Sequence, residues 1–515
     1  MIKPLLRSYA NIFIYILVKR FHDIINTKEG YIMSLSELLS FYTNKKKTNM
    51  TQFAQYLGID RSTLHKIIKG QRPATNELLV KRMAQYLCLN QEETKQLLDA
   101  YEIDTIGAFT FYRRKHIQTF FKEADHVLDQ DHPMTEQFIH NERALVDDVY
   151  TGKINVEHIL YTLYFHETRE EDPHVRIMEQ PYDMSLIFNS FNHLSSDMPM
   201  THLFCLDNSQ KQTKNHEFYN LQCLNNLLPV ILRNKNYHPY YYYSNVSIMN
   251  EHDVFYPNVM ITTRSVFTYT NDHGQGILYK TPQIVNAFKE KFDAYIKEAS
   301  CFMKRESWVD NLKNIQTFFN TQTITRELMT TPCPTYVFEE SDLAIIRKSL
   351  KDFFPDKEGF IKKFHDFANY WNQEFYTRYS DLFHIIYTVQ GLRYTAKTGY
   401  LHDIPPELFN PLSLEDRLLL ITKWKEFCKK HPYIMMADMP YLSETSTTYF
   451  QLSDQVFHMI AADSTGTLAN ISIQEVTLVE AFNDFFENVI KKNAYSKEEE
   501  FKVIDECIEM IKKEM

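Results

Sequence analysis

Glycine is scarce, with 11 in 515 residues, and the chain holds neither a GxGxxG nor a GxxxxGK[ST] stretch. The dinucleotide fingerprint and the P-loop both need glycine for close backbone approach to phosphate, so both routes lack sequence support and no cofactor is expected. Cysteine is sparse too. Cys88, Cys205, Cys223, Cys301, Cys333, Cys428 and Cys507 lie far apart with no CxxC pair. That usage argues against a disulfide framework or a zinc knuckle and fits free thiols in a reducing cytoplasm. Long apolar runs are missing near the start, where "IFIYILV" (12–18) is far shorter than the about 20 residues a bilayer span needs. No membrane partner is expected. No small-residue cleavage site follows this run, which weighs against a signal peptide. Lys28–Gly30 can be encoded by a purine run resembling a ribosome-binding site just ahead of Met33. Translation is therefore expected to begin at Met33, with residues 1–32 a mis-called extension.

What is present is an ordinary globular composition, 44% hydrophobic and 24% charged, with aromatics high at 14%. The length suggests about three domains. Abundant Lys, Asn, Ile, Tyr and Phe suit an AT-rich, bacterial genome. Charge is partitioned. Between Ser36 and Tyr86 nine basic residues (45, 46, 47, 61, 66, 69, 72, 81, 82) face three acids (Glu37, Asp60, Glu77), a net of +6 in a chain of net −10. With +3 in residues 1–35, residues 87–515 carry −19. A basic module on an acidic body points to a polyanionic partner for the module alone.

Catalytic patterns are few. "HETRE" (166–170) lacks the second His of a zincin helix and reads as a surface loop; His193, His202 and His216 lack ligand spacing, so no metal is expected. There is no GxSxG, and no cysteine has a nucleophile signature. "YHPYYYYS" (237–244) reads as a strand with aromatics packed on both faces, the alternative being an aromatic ligand pocket. The stretch 391–421 reads as helix, turn, double proline and helix.

From Ser34 to about Glu102 apolar residues recur at three- and four-residue steps, which predicts five short helices. Thr48 or Asn49, Asp60, Thr75 or Asn76, and Asn90 supply starts, while Gly58 and Gly70 supply stops. Within this region "FAQYLGIDRSTLHKIIKGQRP" (53–73) has a small Ala54 where two helices cross, a turn glycine at Gly58, and Ile59, Leu64 and Ile67 spaced to pack inward. Arg61, Ser62, His65, Lys66 and Lys69 are left outward, and Asp60 is expected to cap the helix.

This pattern resembles the helix-turn-helix of the phage-repressor and Cro-like (XRE) family over about 70 residues. The resemblance implies a lambda-repressor-like fold whose second motif helix enters the major groove. It places Arg61, Ser62 and Lys66 against base edges with Thr63 and His65 flanking, and Lys69 and Arg72 on phosphate. Ala54, Gly58 and Gly70 are its structural turn residues. Met50 stands where the family opens with a phosphate-touching glutamine, a contact left to Thr51, Gln52 or Lys47.

Further along, 201–206, 240–249 and 258–270 read as strands, "DHGQG" (272–276) as a hairpin turn, and 282–299 as a helix; no period of 20–50 residues occurs. The expected fold class is thus multi-domain: an all-α five-helix DNA-binding head, a mixed α/β or α+β middle, and a mostly helical C-terminal region. The expected boundaries are 1–33 (extension), 34–103 (head), 104–145 (helical linker, with "DQDHPM" as a joint), 146–330 (α/β sensor) and 331–515 (regulation and dimerisation). The expected function is a cytoplasmic transcription regulator, not an enzyme. It would act as a homodimer on palindromic double-stranded DNA, its body sensing a small-molecule or protein effector or mediating oligomerisation. An enzyme with a DNA-tethering head, and an antitoxin-like or scaffold protein regulating its own gene, are the alternatives.

Overall fold

The computed structural model describes residues 33–124, 145–181, 198–208, 218–244, 256–307, 326–352, 354, 357–370, 383–401, 408–440, 442, 449–462 and 468–515. The proposed extension 1–32, the joint at 129–134, residues 245–249, His193, His216 and the double proline at 405–406 lie outside them. The chain divides into two compact units, Met1–Arg113 and Arg114–Met515.

The first unit contains helices α1 (Leu35–Lys45), α2 (Met50–Leu57), α3 (Arg61–Ile68), α4 (Glu77–Tyr86) and α5 (Gln91–Ile106), and the start of α6 (Ala108–Ala124). Ser34 and Asn90 form reciprocal caps with Glu37 and Glu93, while Asn49 and Asn76 accept from the first free N–H groups of α2 and α4. Phe53, Leu64, Val80, Met83 and Leu97 close a common core.

Among the described residues the second unit is built on two mixed sheets, of eight and seven strands. The first contains β1 (Asp148–Thr151), β2 (Val175–Met178), β3 (Met200–Asp207), β4 (Tyr237–Ser244), β5 (Asn258–Ile261), β6 (Val266–Tyr269), β7 (Gln275–Tyr279) and β8 (Ser300–Cys301). Helix α7 (Lys153–Glu167) follows β1, α8 (Tyr219–Arg233) precedes β4, and α9 (Pro282–Glu298) follows β7. The second contains β9 (Met303–Ser307), β10 (Arg326–Met329), β11 (His384–Thr388), β12 (Ile434–Ala437), β13 (Tyr449–Leu452), β14 (Phe457–Ala462) and β15 (Leu468–Ile473). Its helices are α10 (Leu343–Ser349), α11 (Lys357–Tyr370), α12 (Val389–Thr398), α13 (Leu414–Lys430), α14 (Val476–Phe485) and α15 (Lys497–Glu514).

The two sheets follow one path. The first runs β1-β7-β6-β5-β2-β3-β4, with β8 added at its edge, and the second β9-β15-β14-β13-β10-β11-β12. In each, three parallel strands laid down in order adjoin a three-stranded antiparallel meander, and the strand that opens the half pairs with the strand that ends the meander. The correspondence extends to single residues. The meander turns Thr262–Ser265 and Ser453–Val456 have matching length and bonding. Thr262 N–H donates to the Ser265 carbonyl (2.8 Å) and Ser453 N–H to that of Val456 (2.9 Å). Ser265 N–H donates to Thr262 Oγ1, and Val456 N–H to Ser453 Oγ, each at 3.0 Å. Arg176 on β2 pairs with Asp293 on α9 (2.9 Å), and Arg326 on β10 with Glu487 just after α14 (2.8 Å). Helix α9, and α14 with the helical turn that continues it to Lys491, share the pattern V-x-A-F-x-x-x-F-x-x-x-I-K, at 285–297 and 479–491. The unit repeats one topology at a spacing of roughly 150–190 residues, far longer than the 20–50 residue period of repeat arrays.

The halves stack in layers. Helix α9 covers one face of the first sheet through Val285 and Phe292. The other face shares a core with α7, α8, α14 and one face of the second sheet, and Ile117, Phe120 and Phe121 of α6 lie in that core. The far face of the second sheet carries α12, α13 and α15. Residues 114–124, expected as linker, are therefore core on this side, with Arg114 held by Asp484 at 2.8 Å.

The expected fold class is corrected here. Residues 331–515 are not mostly helical: β11–β15 lie within them, as part of a seven-stranded sheet. Those strands are four to six residues long, and a short apolar run such as "IMMA" has no period that separates strand from helix. Nor do the N-terminal helices stop as five near residue 103. Helix α5 continues to Ile106 and α6 resumes after a single residue, Gly107, at φ 84°. "HETRE" is not a surface loop either. It straddles the end of α7, and Glu167 is buried, accepting from His174 N–H and from Thr263 N–H (2.9 Å each).

Candidate nucleic-acid interface

The pair α2–α3 is set by its turn. Gly58 adopts φ 71°, the left-handed region that only glycine enters without cost, and Ile59 N–H returns to the Ala54 carbonyl at 3.1 Å. Ala54 is buried, as the close crossing needs. Gly70 has φ 68°, and a Cβ there would lie 3.0 Å from Ser36 Oγ on α1, so space as well as backbone conformation favours glycine. Leu64 and Ile67 are buried and Ile59 half-buried, which turns Arg61, Ser62, His65, Lys66 and Lys69 to solvent; Thr63 is half-buried. Gln52, Arg72 and Lys47 are exposed, Lys47 at φ 48°.

Some of the basic charge is committed within the unit. Lys81 pairs with Glu77 (2.7 Å) and Lys45 with Glu93 (3.6 Å). Arg82 donates to the Leu57 carbonyl (3.2 Å) and to that of Tyr56, so it caps the C-terminus of α2 and fixes the turn from behind. In the sequence alone Arg82 registers only as one of the nine basic residues. Lys46, Lys47, Arg61, Lys66 and Lys69 form no ion pair among the described residues, so their charge is available to an anion.

Asp60 departs from expectation. It precedes α3, but its side chain makes no capping bond to the helix backbone. Its carboxylate accepts from Ser62 Oγ (2.9 Å) and Thr63 Oγ1 (2.6 Å), and Arg72 Nη1 lies 3.4 Å from Thr63 Oγ1. Bonds from Thr63 and Ser62 hold the Asp60 carboxyl below its ordinary range.

The second unit buries several ionisable groups, and their partners define what they can do. Glu179 accepts from Tyr269 Oη (2.8 Å) and His273 Nε2 (3.1 Å), while Glu157 faces His273 Nδ1 at 3.7 Å. Burial lowers the His273 pKa, but bonding to Glu157 and Glu179 outweighs it and pushes it up to about 9. His202 meets Tyr237 Oη (2.5 Å) and the Glu179 carbonyl (2.9 Å), so both ring nitrogens are engaged; burial pushes it down to about 4. Burial also raises the thiols of Cys205, to about 12, and Cys507, to about 11, which keeps them protonated. Tyr237–Ser244 is a strand, with burial alternating along its first residues. Among the described residues no group of three or more His, Cys, Asp or Glu side chains is arranged to hold a metal ion. No helix among them is long and apolar enough to cross a membrane.

No protein-family model matches the chain, and no curated protein matches it. Nineteen chains of solved structure match. One is TrmBL2, an archaeal chromatin protein described as showing a novel mode of DNA binding, at 12% identity over 44% of this chain and 72% of that one, TM-score 0.21. Another is a phosphatidylserine synthase of Haemophilus influenzae, at 10% identity over 68% and 87%, TM-score 0.21. A third is the polyphosphate kinase of Porphyromonas gingivalis, at 9% identity over 70% and 52%, TM-score 0.19. At such scores these likenesses carry no argument about fold or activity.

Proposed function

We propose that the chain is a sequence-specific DNA-binding regulator of transcription of the XRE family, bacterial and cytoplasmic, acting without catalysis of its own. Residues 34–103 read double-stranded DNA with α3 in the major groove. Arg61, Ser62 and Lys66 contact bases, Thr63 and His65 flank them, and Lys69, Arg72, Lys47 and Gln52 take phosphate. The chain binds a palindromic operator as a homodimer, and the duplicated unit answers a small-molecule or protein effector. One observation carries this reading: the outer face of α3 is polar and basic, its cations form no ion pair among the described residues, and its inner face is anchored by Leu64 and Ile67. Arg and Lys suit guanine O6 and N7, each good pair giving about 1–3 kcal/mol of discrimination.

The test is selection of genomic fragments with the full chain, wild type beside Arg61→Ala/Lys66→Ala, at two salt concentrations. A few sharply enriched palindromic sites, lost in the variant, are the expected result. Weak enrichment everywhere, equal in both proteins and abolished by salt, would reduce the head to phosphate attraction and overturn the reading.

A further inference from the structure

We propose that Asp60 sets the base preference of α3 by holding Ser62 as a hydrogen-bond acceptor, so that the operator presents an amino group, adenine N6 or cytosine N4, opposite Ser62. The inference rests on α3 being the reading helix. A serine hydroxyl has one hydrogen and two lone pairs. At Ser62, an exposed residue, that hydrogen points to Asp60 Oδ1 (2.9 Å). What faces outward is an acceptor. Thr63 is held more tightly: its hydrogen goes to Asp60 Oδ2 (2.6 Å), its oxygen lies 3.4 Å from Arg72 Nη1, and it is half-buried. Ser62 is therefore the hydroxyl left to meet a base, and Thr63 braces the carboxylate. In the major groove guanine O6 and N7 and thymine O4 only accept, whereas adenine N6 and cytosine N4 donate. An acceptor-only Ser62 cannot pair with the first set. Guanine recognition falls instead to Arg61 and Lys66, which are donors throughout. Because Asp60 makes no side-chain bond to the helix backbone, its removal alters the hydroxyl's orientation without uncapping α3.

The experiment is selection from a random duplex library with the full chain, comparing wild type, Ser62→Ala, Asp60→Ala and Asp60→Asn, after equal thermal melting shows that all four are folded. Ser62→Ala should flatten preference at one position of the half-site and so mark it. Wild type should hold adenine or cytosine there. Asp60→Ala should keep the rest of the half-site yet admit guanine or thymine at the marked position, erasing about fivefold discrimination, the worth of about one neutral hydrogen bond. Asp60→Asn, which retains an accepting oxygen, should fall between. Guanine or thymine at the marked position in wild type overturns the proposal, as does a Ser62→Ala variant that alters no position. An Asp60→Ala variant that weakens every position alike, or changes none, also overturns it. A wild-type chain that is folded but selects no sequence overturns the DNA-reading function itself, a separate outcome.

Discussion

The halves of the second unit share a chain path but fill it differently. Across the face of the first sheet towards α7 and α8, neighbouring strands present Ile177, Met260, Phe267 and Leu278, all buried and apolar. At the corresponding register of the second sheet stand Glu327, Gln451, His458 and Ser472. Glu327, Gln451 and His458 are also buried, Glu327 entirely, with both carboxylate oxygens accepting from Tyr336 Oη at 2.7 Å. One step along, Gly276 lies under the Phe267 ring where the second half has Asn470 beside the smaller His458. The helices differ likewise: exposed Lys291 on α9 occupies the place of buried Phe485 on α14, which lies in the shared core. Strand order, turn bonding and the Arg–carboxylate brace are common to both halves, while the inner row changes from apolar to polar. Pairing and turn chemistry hold this architecture, and the row between them takes either composition.

The largest expected effect separates a backbone contact from a side-chain contact. A Cβ at Gly391 would lie 1.7 Å from the Thr330 carbonyl oxygen, at the crowded junction of β10 and α12 in the second half. Gly391→Ala should cost at least about 4 kcal/mol or prevent folding, read by urea unfolding. A Cβ at Gly276 would instead meet the tip of the Phe267 ring, 2.3 Å from its Cζ, a side chain that can shift. Gly276→Asn should cost about 2–3 kcal/mol, and adding Phe267→His, which copies the second half, should recover part of it. Full additivity of the two changes would show that the positions are not coupled.

Next in size is Tyr336→Phe, which removes the one O–H that both oxygens of a buried carboxylate share and should cost about 2 kcal/mol. Glu327→Leu/Tyr336→Phe should cost less than the single change, because the first half already accommodates Ile177 at that place. A double variant less stable than Tyr336→Phe would refute the equivalence.

The smallest effect is a contrast in pH dependence. His273 is raised to about 9, above the ordinary value of 6.5, so its stabilisation is fully present below 6.5 and lost as pH rises through 9. His458 is lowered to about 3 by burial, so its neutral ring contributes above 6.5 and that contribution is lost as pH falls from 6.5 towards 3. Urea midpoints against pH for His273→Gln and His458→Gln should flatten the alkaline limb in the first and the acid limb in the second. The same limb changing in both would erase the distinction between the halves.

Legibility followed the range of the interactions. The starts of α2, α4 and α5, the positive φ of Gly58 and Gly70, and the outward residues of α3 depend on side chains within a few positions of one another, and these were readable. In the body, β3, the hairpin turn before β7 and α9 were readable from strong local patterns, whereas 258–270 proved to be two strands with a turn between. The role of Arg82 was not readable, because its carbonyl partners lie 25 and 26 residues away. Nor was the turning of Asp60 to the hydroxyls of Ser62 and Thr63, a rotamer choice among several bonds that the same sequence allows.

Sequence alone determined a charge-segregated chain with a basic helical N-terminal region, and which residues of its third helix face outward, because helix periodicity and capping are local. Only the tertiary structure decided that the remainder is one topology laid down twice. Strand pairing joins residues far apart, such as Arg326 with Leu452, and no short window of sequence carries that register. The shared signature V-x-A-F-x-x-x-F-x-x-x-I-K acquires its meaning only when both copies are seen in the helical segment that follows the same meander.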